Sequence, residues 1–210
     1  MMKKVFLLLF SLTLTGCGTA NVSATVTRFH RDLPPAGETF AIQPQAEQKG
    51  SVEFDTYAGA VVSQMVSAGY TPAAPGKPAD LLVEFRYGID NGRSELVSTP
   101  LFARDSYWQR QNCARVMPPF DCGAPPLATS EIQSFTVFTR WVELSVVDSR
   151  KKAAQPVKLF EGRAYSEGIN RNLPEMVPPL VAALFTEFPG LNGETRTVVV
   201  SPDCCGPKRK

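Results

Sequence analysis

Catalytic hardware is scarce in this chain. Its 210 residues include a single histidine, His30. A Ser-His-Asp or Cys-His apparatus would have to be built on that one ring. No GxSxG, HExxH or P-loop pattern accompanies it, so His30 is expected to be a surface residue at the end of a strand. The cysteines lack CxxC spacing, which argues against a redox or zinc site. No metal and no cofactor are expected. There is no internal repeat and no sign of a second domain. Charge of one sign is also lacking. The whole chain carries 22 basic and 20 acidic residues, and nucleic acid is an unsuitable partner for so neutral a balance.

What the N-terminus does contain is an export signal. Lys3 and Lys4 precede the apolar run Val5–Leu14, ten residues long. At about 1.5 Å per residue, such a helix would span roughly half of a ~30 Å hydrocarbon core, too short for a membrane helix. The run ends in Leu14-Thr15-Gly16-Cys17, which reads as a lipobox. The small Thr15 and Gly16 let the backbone enter a peptidase cleft. Cys17 offers the thiol for thioether attachment of diacylglycerol and would become mature residue one. Several acyl chains, each contributing about 0.8 kcal/mol per buried methylene, hold a protein on a bilayer far better than one. Gly18, rather than an aspartate, points to the outer membrane, with the domain facing the periplasm. Removing residues 1–16 takes away Lys3 and Lys4, leaving 20 basic against 20 acidic residues and a neutral domain.

Export also sets the redox compartment. Cys113, Cys122, Cys204 and Cys205 remain after Cys17, and disulfides are their expected state. Four cysteines allow three connectivities. The one joining Cys204 to Cys205 is strained, because neighbouring α-carbons sit ~3.8 Å apart and bridged ones usually 4.4–6.8 Å. The other two staple the C-terminal tail to the loop that holds Cys113 and Cys122.

Along the chain, residues 17–23 are a short tether and residues 24–200 a single domain. Strands are expected over Ala24–Phe29, Thr39–Gln43, Asp80–Tyr87, Phe135–Asp148 and Val157–Gly168, with Thr195–Ser201 as an edge strand. Ser51 can cap a helix whose stripe is Phe54, Ala58, Val61, Val62, Met65 and Val66, with Gly69 after its end. A second stripe runs through Leu173, Met176, Val177, Leu180, Val181, Leu184, Phe185 and Phe188. Pro174 suits a first turn, but Pro178 and Pro179 suit no helix interior, so the regular helix is expected to begin only there. Residues 88–133 read as one long loop, of the kind that is often functional. It carries Tyr107-Trp108-Gln109-Arg110, whose aromatic and basic content fits a glycan or protein contact. Residues 201–210 form a cysteine-containing basic tail. The 18 prolines and 15 glycines suit such loops. The expected fold is α+β: a two-layer sandwich with a mixed or antiparallel sheet of about five strands and two helices on one face.

Alternation assigns the sheet faces. Val83, Phe85, Val142, Leu144, Val146, Phe160, Gly162 and Ala164 point inward, and the small Gly162 and Ala164 allow a helix to come close. The other face collects Glu84, Arg86, Trp141, Glu143, Glu161, Arg163 and Tyr165. Cross-strand ion pairs there are worth only ~0.2–1 kcal/mol each, with Arg86 and Arg163 taking up Glu143 and Glu161. Trp, Tyr and Arg are the usual interface anchors. Arg86, Trp141, Arg163 and Tyr165, with Tyr107 and Trp108 from the loop, are therefore the candidate docking residues.

The pattern resembles a known family. The resemblance rests on the lipobox, Thr39-Phe40-Ala41-Ile42, Tyr57-Ala58, Ala79-Asp80-Leu81, Leu159-Phe160-Glu161-Gly162-Arg163 and Ser166-Glu167-Gly168. It continues through Val177-Pro178-Pro179-Leu180, Ala183-Leu184-Phe185 and Phe188-Pro189-Gly190 to Asn192-Gly193. Over roughly residues 24–200 it resembles the domain-of-unknown-function 4136 family of bacterial envelope lipoproteins. That resemblance implies a two-layer α/β domain on the periplasmic side of a membrane and brings no catalytic residues. The expected role is a binding or accessory module whose partners are membrane lipid, through acylated Cys17, and other envelope proteins. The alternative is an envelope hydrolase acting on glycan or peptidoglycan through carboxylates near the long loop.

Overall fold

The computed structural model describes residues 21–31, 33–34, 36–101, 129–150 and 157–201. Cys17 and the signal, Cys113, Cys122, Cys204 and Cys205, and Tyr107 and Trp108 lie outside the described residues.

The described chain runs β1 (Val22–His30), β2 (Thr39–Gln43), α1 (Val52–Ser67), β3 (Thr71–Pro72), β4 (Leu81–Ile89), β5 (Arg93–Leu101), β6 (Thr129–Asp148), β7 (Val157–Gly168), α2 (Leu173–Phe185) and β8 (Thr195–Val200). The strands form one mixed sheet in the order β3-β2-β4-β6-β7-β1-β8, with β5 also paired to β6. β2 is parallel to β3 and β4, and every other pairing is antiparallel. The α+β class with a mixed sheet and two helices stands. The expected strand count of about five does not, because the sheet has eight strands.

The strands missing from the expectation are the two-residue β3 and β5, the latter within the stretch read as a long loop over residues 88–133. β4 runs on to Ile89, β5 occupies Arg93–Leu101, and β6 starts at Thr129. β4 and β5 lie end to end along the same edge of β6, as Ile89↔Arg140 and Arg93↔Val137 show. Between them Asp90, Asn91 and Gly92 oppose only Phe138 and Thr139, a bulge that slips the register by one. Asp90 holds it. Its Oδ1 accepts from Gly92 N and Thr139 N, both at 3.0 Å, and its own N donates to Thr139 O at 3.1 Å. These backbone donors keep its carboxyl below the usual range. Gly92 takes a φ of +78°, where a side chain would be strained.

Alternation does sort the two faces as expected. Val83, Phe85, Val142, Leu144, Val146, Phe160 and Ala164 are all buried, and they share one hydrophobic cluster with residues of α1 and α2. Gly162 is a point of close approach. A Cβ there would lie 2.7 Å from the Phe160 ring and 3.0 Å from Leu184 Cδ2. Gly162→Ala should therefore cost about 1–3 kcal/mol of stability, as overpacking of a filled core does. An unshifted urea midpoint would mean that the Phe160 ring and Leu184 give way freely.

α1 begins where capping predicts. Ser51 Oγ accepts from Phe54 N at 3.2 Å, and Gly69 follows the helix at a φ of +95°. Its buried side is Phe54, Tyr57, Ala58, Val61 and Met65. Tyr57 replaces Val66, which is 47 % exposed, because the helix rolls Tyr57 edge-on against Tyr87 with centroids 4.7 Å apart. α2 departs further from expectation. It is regular from Leu173, and Pro178 and Pro179 sit inside it. Each interior proline costs about 3 kcal/mol or more. Against that stand Leu180, Val181 and Leu184, each at 0 % exposure, and full burial of such side chains is worth about 1.5–3 kcal/mol apiece. Tertiary burial outweighs local propensity here.

Two buried arginines hold α2 at both ends, and neither was expected in the core. Arg140 of β6 is 2 % exposed. Its Nη1 donates to Gly168 O at 2.8 Å, Asn170 O at 3.0 Å and Phe138 O at 3.3 Å, and its Nη2 to Ser166 Oγ at 3.1 Å. It thereby ties the β7–α2 turn to the sheet. Arg28 of β1 is 3 % exposed, and its Nη2 donates at 2.8 Å to Ala183 O in the last turn of α2, where the helix dipole favours a cation. Burial pulls both guanidinium groups below their ordinary range. Arg28 is lowered further by neighbouring Arg196, while Glu187 and Glu194 oppose the shift.

Candidate functional site

The exposed face of the sheet is built by register. Arg86 of β4 stands opposite Glu143 of β6, Glu143 opposite Arg163 of β7, Arg163 opposite Thr27 of β1, and Thr27 opposite Thr195 of β8. One row of side chains thus crosses five strands. Glu143 is its electrostatic centre. Its Oε2 lies 2.9 Å from Arg86 Nη2, and its Oε1 2.9 Å from Arg163 Nε. Arg163 was expected beside Glu161 as well, but Glu161 is bound by Lys158 at 2.7 Å. The register explains the correction: Glu161 faces Ser145 across the strands and not an arginine. Glu84 accepts a hydrogen bond from Ser145 Oγ at 3.2 Å.

This row floors a shallow groove of about 360 Å³ lined by Thr27, Phe29, Glu84, Arg86, Glu143 and Arg163, among others. Phe29, 55 % exposed, forms its apolar wall. Thr25, Thr27 and Phe29 alternate with the buried Ala24, Val26 and Arg28, so the same period-2 reading applied to β1 places Phe29 on this face. Trp141 and Tyr165 are cross-strand partners one step along the sheet from the row. Tyr165 is 38 % exposed. Trp141 is half-buried because its indole lies across Gly88, where a Cβ would come within 2.6 Å of Trp141 Cζ2. Part of the Trp141 surface is thus spent on its own sheet. Of the six expected docking residues, four share this face, two of them in the groove, and Tyr107 and Trp108 fall outside the described residues.

His30 lies at the end of β1 as expected. It is engaged structurally: its Nε2 is 3.1 Å from Gly190 O, and its backbone N donates to Asn192 Oδ1 at 2.9 Å. It fastens the α2–β8 connection. The ion pairs of the groove are solvent-exposed, so each should contribute little to folding. Arg163→Ala is expected to change stability by less than about 1 kcal/mol in chemical denaturation, which makes it a clean probe of binding.

A family model for the domain of unknown function DUF4136 matches residues 26–190. The chain belongs to the DUF4136 family. The matched span of this DUF4136 domain runs from within β1 to the end of the α2 turn, and so contains every described candidate residue. No curated protein matches the chain. Among solved structures, a PDZ domain protein from Parabacteroides distasonis is similar at 12 % identity and a TM-score of 0.46, over 87 % of this chain and 40 % of that one. The chain thus spans less than half of that protein's length. A DUF4136 family protein from Bacteroides thetaiotaomicron is similar at 16 % identity and a TM-score of 0.38, over 80 % and 97 % of the two chains. The PelC dodecamer from Paraburkholderia phytofirmans is similar at 10 % identity and a TM-score of 0.36, over 76 % and 92 %. At these scores no property of those proteins passes to the DUF4136 domain of this chain. No helix among its described residues is long and apolar enough to cross a membrane.

Proposed function

We propose that this DUF4136 domain is the periplasm-facing part of an outer-membrane lipoprotein, anchored by acylated Cys17, and that it serves the envelope as a binding or accessory module. The observation that carries the binding role is the groove on the exposed sheet face. It combines an exposed aromatic, Phe29, with two half-exposed arginines that each commit one nitrogen to Glu143. Their remaining N–H groups point to an occupant bearing acceptors, and Phe29 offers it apolar area. The carboxylates of this face are tied to cations or to Ser145, which suits recognition better than hydrolysis.

The test is crosslinking in intact cells. A photoreactive residue at Thr27, beside Arg163 in the row, should capture one envelope protein reproducibly. Arg163→Ala/Phe29→Ala should reduce that capture several-fold without unfolding the domain. Equal capture by the double variant would remove the groove from the reading.

A further inference from the structure

The β5–β6 ribbon is a second feature with no structural task of its own. Beyond Phe138, β6 is paired only with β5, and the described residues of both strands are exposed along Ser94–Thr99 and Ser130–Ser134. A lone two-stranded ribbon is marginally stable in water. This one nevertheless displays Leu96 at 71 %, Val97 at 47 %, Ile132 at 67 % and Phe135 at 39 % exposure. Glu95 and Glu131 are its only charges beyond Arg93, which is bound to Glu95 and Glu167.

Register locates the ribbon relative to the chain's start. Thr25 pairs with Tyr165, and three further steps bring Val22 level with Gly168, which pairs with Phe138. The tether therefore leaves the sheet at the same end from which the ribbon projects. Ile169, next to Gly168 and 68 % exposed, lies at that end too. The lengths also agree. From Cys17 to Val22 the chain reaches at most about 18 Å. Ile132 stands six residues beyond Phe138, roughly 20 Å at strand rise. A ribbon that continues along the strands carries Ile132 about as far from the end of the sheet as the drawn-out tether carries Cys17.

We propose that the β5–β6 ribbon is a second membrane contact, with Leu96 and Ile132 entering the interface of the bilayer that holds Cys17. The proposal rests on the lipid-anchor reading above. Among the described residues of the ribbon the one cation, Arg93, is held by Glu95 and Glu167, so the contact made by Leu96 and Ile132 themselves is apolar, unlike attachment by a basic patch. Two points of attachment would hold the domain at a defined tilt, which one alone does not.

The test uses the acylated protein in phosphatidylethanolamine/phosphatidylglycerol vesicles with chain-brominated lipid. With Trp108 and Trp141 replaced by phenylalanine, a tryptophan introduced as Ile132→Trp should be quenched several-fold more than one introduced as Leu191→Trp, an equally exposed site near the opposite end of β1. In unacylated protein spanning residues 18–210, which lacks both Cys17 and the apolar run Val5–Leu14, Leu96→Glu/Ile132→Glu should lower residual vesicle flotation about tenfold, the effect of losing roughly 1.4 kcal/mol of apolar burial. Equal quenching at both positions overturns the proposal, as does loss of stability by the glutamate variant with no change in quenching or flotation. If the glutamates instead dissociate an oligomer, the ribbon's occupant is a second copy and the proposal fails. Failure of the anchor reading is seen separately, as absence of acyl mass on Cys17.

Discussion

Arg140→Ala is expected to remove about 2–4 kcal/mol of folding stability, a large part of the 5–15 kcal/mol that a domain typically has. The side chain gives four hydrogen bonds, three of them to carbonyls of Phe138, Gly168 and Asn170. Truncation leaves those carbonyls buried or half-buried without a donor, at about 1–3 kcal/mol for each that water cannot reach. Relief of the guanidinium's own desolvation offsets part of that cost. Arg140→Met separates the two effects, since it keeps much of the volume and removes every donor. If shape were what mattered, Met would restore stability; the hydrogen-bond account expects Met and Ala to behave alike. Arg140→Lys should be intermediate, because one ammonium cannot reach three carbonyls and Ser166 at once. The measurement is urea unfolding of residues 17–210, with Arg163→Ala as the exposed reference. A loss below 1 kcal/mol for Arg140→Ala would sink the idea that this residue fastens the β7–α2 turn.

Cys17→Ser is expected to abolish maturation. The thiol is the acyl acceptor in the proposed anchor, and a serine hydroxyl cannot form the thioether. The variant should keep residues 1–16 and carry no acyl group. The wild-type chain should begin at Cys17 with the mass of several acyl chains. Each chain adds about 0.8 kcal/mol per buried methylene, so more than one makes the attachment effectively permanent. Intact mass spectrometry and membrane fractionation together decide it. A Cys17→Ser protein that is cut and fractionates like wild type would end the lipoprotein reading and, with it, the argument that the ribbon faces a bilayer.

The candidate face shows what pattern reading can reach. Arg86, Glu143 and Arg163 were placed on one side of three strands by alternation, and they meet there at 2.9 Å. The partner of Glu161 was misread because parity gives a side and not a register. Register depends on where Val146 meets Phe160 across the sheet, a matter of core packing. Phe29 was within reach of the same rule applied to β1. The strand at Arg93–Leu101 was not, since Arg93 to Thr99 are all exposed and no face is selected.

What the sequence by itself determined is local and periodic. The faces of β4, β6 and β7 follow from a two-residue repeat, and the start of α1 follows from Ser51 accepting a backbone donor. The DUF4136 membership is legible in strand ends and turns. Only the tertiary structure decided that β5 prolongs β4 past a bulge, that two prolines stay inside α2, and that Arg28 and Arg140 are buried. The physical reason is common to the three. Each costs free energy locally, through an unburied strand, lost helix donors or a desolvated cation. Two of these costs are offset by distant partners: the core beneath α2, and the carbonyls at its two ends. The ribbon's cost is not met among the described residues, where Leu96 and Ile132 stay exposed.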